Sequence, residues 1–457
     1  MLALLLRLPF VFTGLSTDEG GYAYVAREWS RGRQLYVSAW LDRPQGLLLT
    51  YRFLLWINGT GWTIRVGMML AGAIISVCLG VVGWQLAGRR AGVLAAFGYA
   101  IIGVAPHLEG VTLNGELLAA VPSAMSIAAA VLWWRRRSAR WLLAAGVLAG
   151  VSLTMKQSGI DGLLVGLAIT LSTPGARIRR TLGFLGAFAV PVAACVVHGA
   201  TIGLGAYWNA LAGYQFHAMG GAASNGDTRW TDFTRYLGGV AIDVAIVLVI
   251  ACFGFRALSR SGRLITATWL LAGVIGVNLG GSYWPHYYMQ PLVPLVLLAA
   301  VAVAAARPRS LRVAGAAILV LPTVIWLVAL VFMSPHHRQK TIPYYALAVR
   351  DRHVADAIDA QTTPDQNIYI LESQAYVYFL ADRPTAYPYL WGMPIQKIPD
   401  ALPRMRAMLA GPDRPTLVVM DTPDPDAVDP SGGLRRDLTT YYHPDGVVDG
   451  MQFLRAN

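Results

Sequence analysis

Long apolar runs separated by short, arginine-rich linkers are the feature that most limits what this chain can fold into. An α-helix needs about 20 apolar residues to cross a bilayer, and segments such as 62–87, 181–203 and 313–333 reach that length. Because 55% of the 457 residues are hydrophobic and only 14% are charged, one soluble core could not cover the apolar surface. The sequence therefore predicts a polytopic α-helical membrane protein.

The apolar runs predict about 11 transmembrane helices. The first, 1–15, holds Arg7 in mid-run and lacks a small-residue cleavage site. The run is shorter than the about 20 residues that a full span needs, so we expect a span that is short and tilted or lacks its beginning. Because Arg7 interrupts the run and no cleavage site follows it, we expect no cleaved signal peptide. The remaining predicted spans are 91–107, 115–134, 141–155, 159–173, 236–255, 264–281 and 286–306.

Arginine clusters occupy every second linker between the predicted spans. By the positive-inside rule these linkers are cytoplasmic, so the alternate connections and the region after the last span face outward. The clusters also account for the net charge of +12, and no basic stripe interleaves with aromatic residues, so we infer no nucleic-acid partner. The clusters lie at 89–90, 135–140, 177–180, 256–263 and 307–312.

Two regions outside the spans are predicted to be folded. The C-terminal region, 334–457, is richer in charge and proline, and short β-rich runs alternate there with helical patterns, which fits a small extracytoplasmic α/β domain. The first outer loop, 16–61, is expected to carry amphipathic helices on the membrane surface. The rest of 1–333 forms the transmembrane domain. The secondary-structure predictions are helices at 21–30, 47–56 and 349–360 and strands at 367–371 and 416–420.

The adjacent carboxylates of Asp18 and Glu19, directly after the first span, are the first candidate catalytic groups. A carboxylate at the outer membrane face could serve as a general base. The alternative is that Asp18 caps the following helix and Glu19 interacts favourably with its dipole. Glu116 stands at the outward start of another span, where a carboxylate must cap, pair or function.

Basic and aromatic residues fall on the same predicted face. Arg43, before Pro44, offers a planar cation for a phosphate, although an ordinary turn explains this segment equally well. Lys156 lies at an outer turn, where snorkelling of its ammonium group to water is the alternative. An aromatic belt accounts for Tyr287 but does not require the neighbouring His286.

The order of these motifs resembles the C-type glycosyltransferase superfamily (GT-C), and specifically its bacterial branch related to protein O-mannosyltransferases and lipid A aminoarabinose transferases. The resemblance spans most of the chain. It rests on Asp18-Glu19 with Tyr22 and Tyr24, Asp42-Arg43-Pro44, Glu116, Lys156-Gln157, His286-Tyr287-Tyr288 and the outer C-terminal domain.

The resemblance implies a GT-C fold and a transferase of the bacterial inner membrane that moves a sugar from a polyprenyl-phosphate donor to a protein, lipid or glycan acceptor outside the cytoplasm, with inversion. Asp18 would be the base, with Glu19 beside it, and Glu116 would help to position the acceptor or the adjoining loop. Donor-binding residues carried over from the resemblance are Arg43, Lys156, His286, Tyr287 and Tyr22.

The chain departs from the family pattern where relatives carry Lys-Pro-Pro. Arg43 replaces the lysine and Gln45 replaces the second proline, so the charge is kept while the loop is less rigid. No clear set of metal ligands accompanies the carboxylates, so we expect no tightly bound cofactor or metal, and a loosely held divalent cation stays open.

Two other classes of protein share parts of this pattern. A transporter or flippase of lipid-linked saccharides would have a similar outer surface but needs a polar path through the bilayer, for which Asp161 and Asp243 are the main candidates. A non-enzymatic envelope protein that binds glycans through its C-terminal domain would not require Asp18, Glu116 and Lys156 to converge.

Overall fold

The computed structural model describes residues 1–457 except 218–225, 281, 373 and 422–423, and describes only the backbone of 226–229. Helices dominate the chain before residue 334. They are α1 Leu2–Arg7, α2 Thr17–Ser30, α3 Gln45–Ile57, α4 Trp62–Ala87, α5 Arg89–Ile102, α6 Gly115–Arg136, α7 Ala139–Met155, α8 Asp161–Ser172, α9 Arg177–Ile202, α10 Leu204–Trp208, α11 Gly226–Ala257, α12 Arg260–Leu279, α13 Met289–Ala305 and α14 Arg309–Phe332.

Seven helices in the described part of the chain are long and apolar enough to cross a membrane. The predicted membrane fold is confirmed, with the difference that the other four predicted spans correspond to helices shorter than 18 residues. Those four are Leu2–Phe12, Arg89–Ile102, Ala139–Met155 and Asp161–Ser172. The seven longer spans are Trp62–Ala87, Gly115–Arg136, Arg177–Ile202, Trp230–Ala257, Arg260–Leu279, Pro285–Ala305 and Arg309–Phe332.

Helices α6 and α13 form the centre of the bundle. Most of their length is buried, whereas α9 and α14 leave most of their apolar surface exposed, as lipid-facing helices do. The arginine inside the first apolar stretch is buried with them, since Arg7 donates to the carbonyls of Ala100, at 3.1 Å, and Gly103, at 2.7 Å, where α5 ends. A cation at a helix C-terminus is favourable, which explains how the bundle accommodates Arg7.

Side-chain caps fix where the helices that carry Asp18 and Glu116 begin. Ser16 and Glu19 form a capping box, with Glu19 N donating to Ser16 Oγ at 3.2 Å and Ser16 N donating to Glu19 Oε2 at 2.8 Å. Asn114 caps α6 by accepting a hydrogen bond from Leu117 N at 2.8 Å. Each cap places one carboxylate, Asp18 or Glu116, in the first turn of a helix.

The C-terminal region holds helices and a four-stranded sheet. The elements are α15 Pro335–Thr341, α16 Tyr345–Gln361, β1 Ile368–Leu371, α17 Ala375–Ala381, α18 Gly392–Lys397, α19 Ala401–Ala410, β2 Leu417–Met420, α20 Gly433–Tyr441, β3 Tyr442–Val448 and β4 Met451–Ala456. The strand order is β1-β2-β4-β3, with β1 parallel to β2 and the other two pairs antiparallel. The predicted strands 367–371 and 416–420 match β1 and β2, and the predicted helix 349–360 matches α16.

This C-terminal region packs directly on α2. A Cβ at Gly20 would clash with Tyr376, and one at Gly21 would clash with the Trp391 ring, so the two glycines allow close contact. Helix α2 therefore differs from the predicted membrane-surface helix, because an unbroken run from Tyr22 to Ala26 is buried where α2 packs against α17 and α3. Helix α3 keeps one exposed apolar face, which includes Phe53 and Trp56.

Candidate active site

Glu116 is the centre of a buried polar cluster at the end of the bundle that contacts the C-terminal region. Its Oε1 pairs with Lys156 Nζ, and its Oε2 lies 3.8 Å from His286 Nε2. The three residues come from the first turn of α6, the end of α7 and the turn before α13. All three are less than 9% exposed, so water screens these charges weakly.

Two further contacts fix the cations of this cluster. His286 Nδ1 lies 2.7 Å from Glu109 Oε2, so the imidazole is held between two carboxylates. The Lys156 ammonium lies 4.3 Å from the centroid of the Tyr287 ring, a cation–π distance. Lys156 and His286 are thus held by the protein before any ligand arrives.

Arg43 approaches the cluster from the loop before α3. A Cβ at Gly115 would lie 3.4 Å from Lys156 Cδ and 3.8 Å from Arg43 Nε, so both basic side chains pass close to this glycine. Arg43 pairs with Asp42, whose Oδ2 also accepts from Gln215 Nε2 at 2.9 Å. The Nε of Arg43 is buried and has no hydrogen-bond partner among the described residues. A donor left unpaired in this way is costly unless a ligand satisfies it.

Asp18 is the partly exposed carboxylate beside these cations. Its Oδ1 accepts a hydrogen bond of 3.2 Å from Trp391 Nε1. Burial raises the pKa of Asp18 above its usual range, while the positive charges of His286 and Arg43 act in the opposite direction. A carboxylate with a raised pKa is a stronger base than one at the ordinary value.

Tyr22 is buried one helical turn after Asp18. Its ring contacts Tyr51 edge-on, with centroids 5.6 Å apart, and Trp391 at 6.1 Å. Burial, and next the nearby charge of Asp18, raise the pKa of the Tyr22 phenol, so it stays neutral at physiological pH. Tyr22 therefore belongs to the aromatic wall around Asp18.

Glu19 faces away from this cluster. Besides capping α2, its Oε1 accepts from Leu113 N at 2.7 Å and its Oε2 lies 3.3 Å from Arg65 Nη2, and the residue is completely buried. These contacts favour a structural role, with Ser16, not Asp18, as the cap of α2. A catalytic role for Glu19 stays a prediction without geometric support.

We expect Glu19→Ala to destabilise the protein by about 3–5 kcal/mol, because it leaves Arg65 as a buried, unpaired cation. Glu19→Gln keeps the side-chain oxygen that can cap α2 and should cost less. Unfolding in detergent measures the loss of stability of both variants. If Glu19 is structural, folded Glu19→Gln should carry out the sugar transfer that the resemblance implies at the wild-type rate. A stable but inactive Glu19→Gln would instead assign the catalytic role to Glu19.

Seven of the residues predicted from the sequence lie together, and two further residues of the cluster were not predicted. The structure gathers Asp18, Tyr22, Arg43, Glu116, Lys156, His286 and Tyr287. The residues that were not predicted are Glu109 and Trp391, while Asp42 was named only as part of the motif with Arg43. Glu109 lies in the predicted outer turn and has a left-handed backbone, φ 53°, which is uncommon away from glycine. A charged residue in so short a turn between apolar spans was the available signal.

No group of three or more His, Cys, Asp or Glu side chains in the described part of the chain has the arrangement of a metal site. The expectation of no tightly bound metal stays a prediction. We expect a chelator such as EDTA to leave the rate of sugar transfer within about twofold of that of the untreated protein. The reason is that basic side chains of the protein already supply the positive charge around Glu116 that a metal ion would otherwise supply. Loss of transfer that added Mg²⁺ or Mn²⁺ restores would contradict this expectation.

These features define a class of protein: a helical membrane bundle in which acidic and basic side chains cluster at the end that a small α/β region covers. Residues 42–200 match the model of the family described as dolichyl-phosphate-mannose-protein mannosyltransferase. That segment includes Arg43, Glu116 and Lys156. No curated protein matches the chain significantly by sequence.

Solved structures show the fold more completely. The chain is similar to ArnT from Cupriavidus metallidurans in the apo state, with a TM-score of 0.68 and 14% identity, and to ArnT bound to undecaprenyl phosphate, with a TM-score of 0.65 and 14% identity. Both alignments cover 99% of this chain and 96% of ArnT. The predicted GT-C fold is confirmed, because this chain shares the fold of ArnT over nearly its whole length. The family match over residues 42–200 agrees with the predicted resemblance.

A more distant match extends to an oligosaccharyltransferase. AglB from Archaeoglobus fulgidus, in complex with an inhibitory peptide and a dolichol-phosphate, aligns with a TM-score of 0.54 and 12% identity. The alignment covers 100% of this chain and 73% of AglB. The shared architecture therefore extends through both the helical bundle and the C-terminal region.

Proposed function

We propose that this chain is an integral membrane glycosyltransferase that transfers a sugar from a polyprenyl-phosphate carrier to a protein, lipid or glycan acceptor outside the cytoplasm. The observation that carries the proposal is the convergence of Asp18 with Arg43, Lys156 and His286 at one end of the bundle. The match to ArnT bound to undecaprenyl phosphate supports a lipid-linked donor, since the two chains share a fold over nearly their whole length.

The site chemistry fits a single displacement. Asp18 takes the proton from the acceptor hydroxyl, whose oxygen attacks the anomeric carbon on the face opposite the phosphate. The bond between that carbon and the phosphate oxygen breaks, and the electron pair leaves with the polyprenyl phosphate. Because one displacement occurs, the anomeric configuration inverts.

Arg43, Lys156 and His286 would stabilise the charge that develops on the departing phosphate. The Nε of Arg43 has no hydrogen-bond partner among the described residues, so it can contact a ligand without first breaking a bond to the protein. Glu116 and Glu109 act indirectly, because they hold Lys156 and His286 in place. Tyr287 supports Lys156 from the other side.

An apolar cavity at the start of α13 has a size that suits the first isoprene units of such a donor. Its volume is about 530 Å³, and its lining includes Tyr288 and Pro291, which follow His286 closely in the chain. Trp230 and Phe233 also line the cavity. It therefore offers an apolar surface for the lipid part of a donor near the helix end that carries His286.

The arginine-rich linkers support an orientation with this site outside the cytoplasm, in a bacterial inner membrane. A flippase would need a polar path through the bundle. The two candidate residues for that path are bound locally, since Asp243 Oδ2 accepts from His107 N at 2.9 Å and Asp161 Oδ2 accepts from Gln290 Nε2 at 2.5 Å. This favours the transferase.

The test is a transfer assay in vesicles with a panel of radiolabelled polyprenyl-phosphate sugars and crude envelope acceptors. We expect label to leave the lipid fraction, and added undecaprenyl phosphate to inhibit by competition. Arg43→Gln should raise the donor KM by roughly tenfold or more, because a charge-assisted contact to phosphate contributes about 1.5–3 kcal/mol. Movement of intact lipid-linked sugar across the bilayer without transfer would instead support the flippase.

A further inference from the structure

Trp391 is the point at which the C-terminal region reaches the candidate base. It precedes α18 with an extended backbone, and its indole nitrogen lies 3.2 Å from Asp18 Oδ1. The two residues are 373 positions apart in the chain. The C-terminal region therefore contacts the very carboxylate to which we assign proton transfer.

The fold makes specific room for this indole. Asp18 and Gly21 are three residues apart on α2 and so lie on the same face of the helix. Any side chain at Gly21 would overlap the six-membered part of the Trp391 ring, and Tyr22 borders the ring on one side. The glycine thus allows the ring to lie against α2 with its N–H directed at Asp18.

We propose that Trp391 is a positioning residue for Asp18, and that the C-terminal region is by this contact part of the active site. The proposal rests on the proposed function, in which Asp18 is the base. The indole N–H holds Oδ1, which leaves Oδ2 as the oxygen that takes the acceptor proton. Because a hydrogen bond donated to a carboxylate favours its charged form, Trp391 also keeps the base ionised.

Trp391→Phe removes the N–H and keeps an aromatic ring. We expect the acid limb of the pH profile of kcat/KM to move to higher pH by roughly half to one unit, the size of one net hydrogen bond. At neutral pH kcat should fall about threefold to tenfold, with the donor KM within about twofold. A purely structural effect of the substitution would lower the amount of active protein but leave the pH dependence of kcat/KM unchanged.

Trp326→Phe is the matched control. Trp326 is also partly buried and stacks on Phe10 at 5.6 Å, but its N–H has no hydrogen-bond partner in the described part of the chain. The pH dependence of kcat/KM of Trp326→Phe should therefore match that of the wild type. If Trp391→Phe folds poorly, replacement of Trp391 by 3-benzothienylalanine, which has sulfur in place of the N–H, keeps the ring shape and tests the same bond.

An infrared titration measures the Asp18 carboxyl directly and needs no substrate. The protonated carboxyl band is identified by its absence from Asp18→Asn, and its midpoint should lie at higher pH in Trp391→Phe than in the wild type. Equal midpoints in the two proteins would overturn the proposal. Failure of the wild type to transfer any sugar would count against the proposed function alone, since the titration does not depend on it.

Discussion

Asp18→Asn should lower sugar transfer by roughly 10²–10⁴-fold while the protein still folds and still binds the lipid donor. Asparagine keeps the shape of the side chain but cannot accept a proton from the acceptor. Because burial raises the pKa of Asp18, the ionised carboxylate costs the folded state free energy at neutral pH. The neutral variant should therefore be at least as stable as the wild type. Initial rates, donor binding and unfolding of the same preparation measure the three quantities.

Asp382→Asn provides the matched control for this substitution. Asp382 also lies where α2 meets the C-terminal region, and it pairs with Arg31 at 2.7 Å and with Arg27 at 2.9 Å. Its side chain is 45% exposed and belongs to no part of the Asp18 cluster, so transfer by folded Asp382→Asn should stay within about twofold of the wild type. Equal transfer by Asp18→Asn and the wild type would remove Asp18 from the mechanism.

Lys156→Met should destabilise the protein by about 3–5 kcal/mol, because it leaves Glu116 buried without its main counter-ion. Adding Glu116→Gln to the same chain removes the unpaired charge, so the double variant should cost less than the sum of the two single variants, by about 1–3 kcal/mol. Unfolding of the four proteins in detergent gives this coupling energy directly.

In the same three variants the rate of sugar transfer should not follow the free energy of unfolding. The double variant regains folded protein but still lacks the Lys156 cation at the phosphate, so its rate should remain far below the wild type. Additive stability costs would show that Lys156 and Glu116 do not form the pair observed here. Recovery of transfer together with stability would give the two residues a structural role only.

The membrane fold was predictable because lipid imposes a simple rule on sequence. Apolar runs of sufficient length, such as 62–87 and 313–333, became helices close to their predicted ends. The hairpin of β3 and β4 was not predicted, since His443, Pro444 and Asp445 are polar or β-breaking residues in an exposed edge strand. Pairing with β4 overrides their weak strand propensity.

The burial of α2 could not be predicted from its own pattern. An amphipathic face predicts that a helix covers an apolar surface, but it does not say whether that surface is lipid or protein. Here α17 covers the face on which Gly20 lies, and Gly20 and Gly21 are the residues that permit the contact. In retrospect, two adjacent glycines in the first half of a helix were the signal for close packing.

Much of the site was predictable because its members share a position relative to the membrane. Glu116, Lys156 and His286 each stand where an apolar run meets an outer turn, so topology alone brings them to one side of the bilayer. Glu109 and Trp391 were missed for another reason. Their roles depend on contacts with His286 and Asp18, which only the tertiary structure specifies.

The most direct test of the account is the anomeric configuration of the product. The panel donor that reacts fastest is prepared with ¹³C at its anomeric carbon, transferred by the purified protein, and the product is examined by NMR. A single displacement with Asp18 as base predicts a product of inverted configuration and transfer by Asp18→Asn that is roughly 10²–10⁴-fold slower. A product that retains the donor configuration, or no product from any donor, would contradict it.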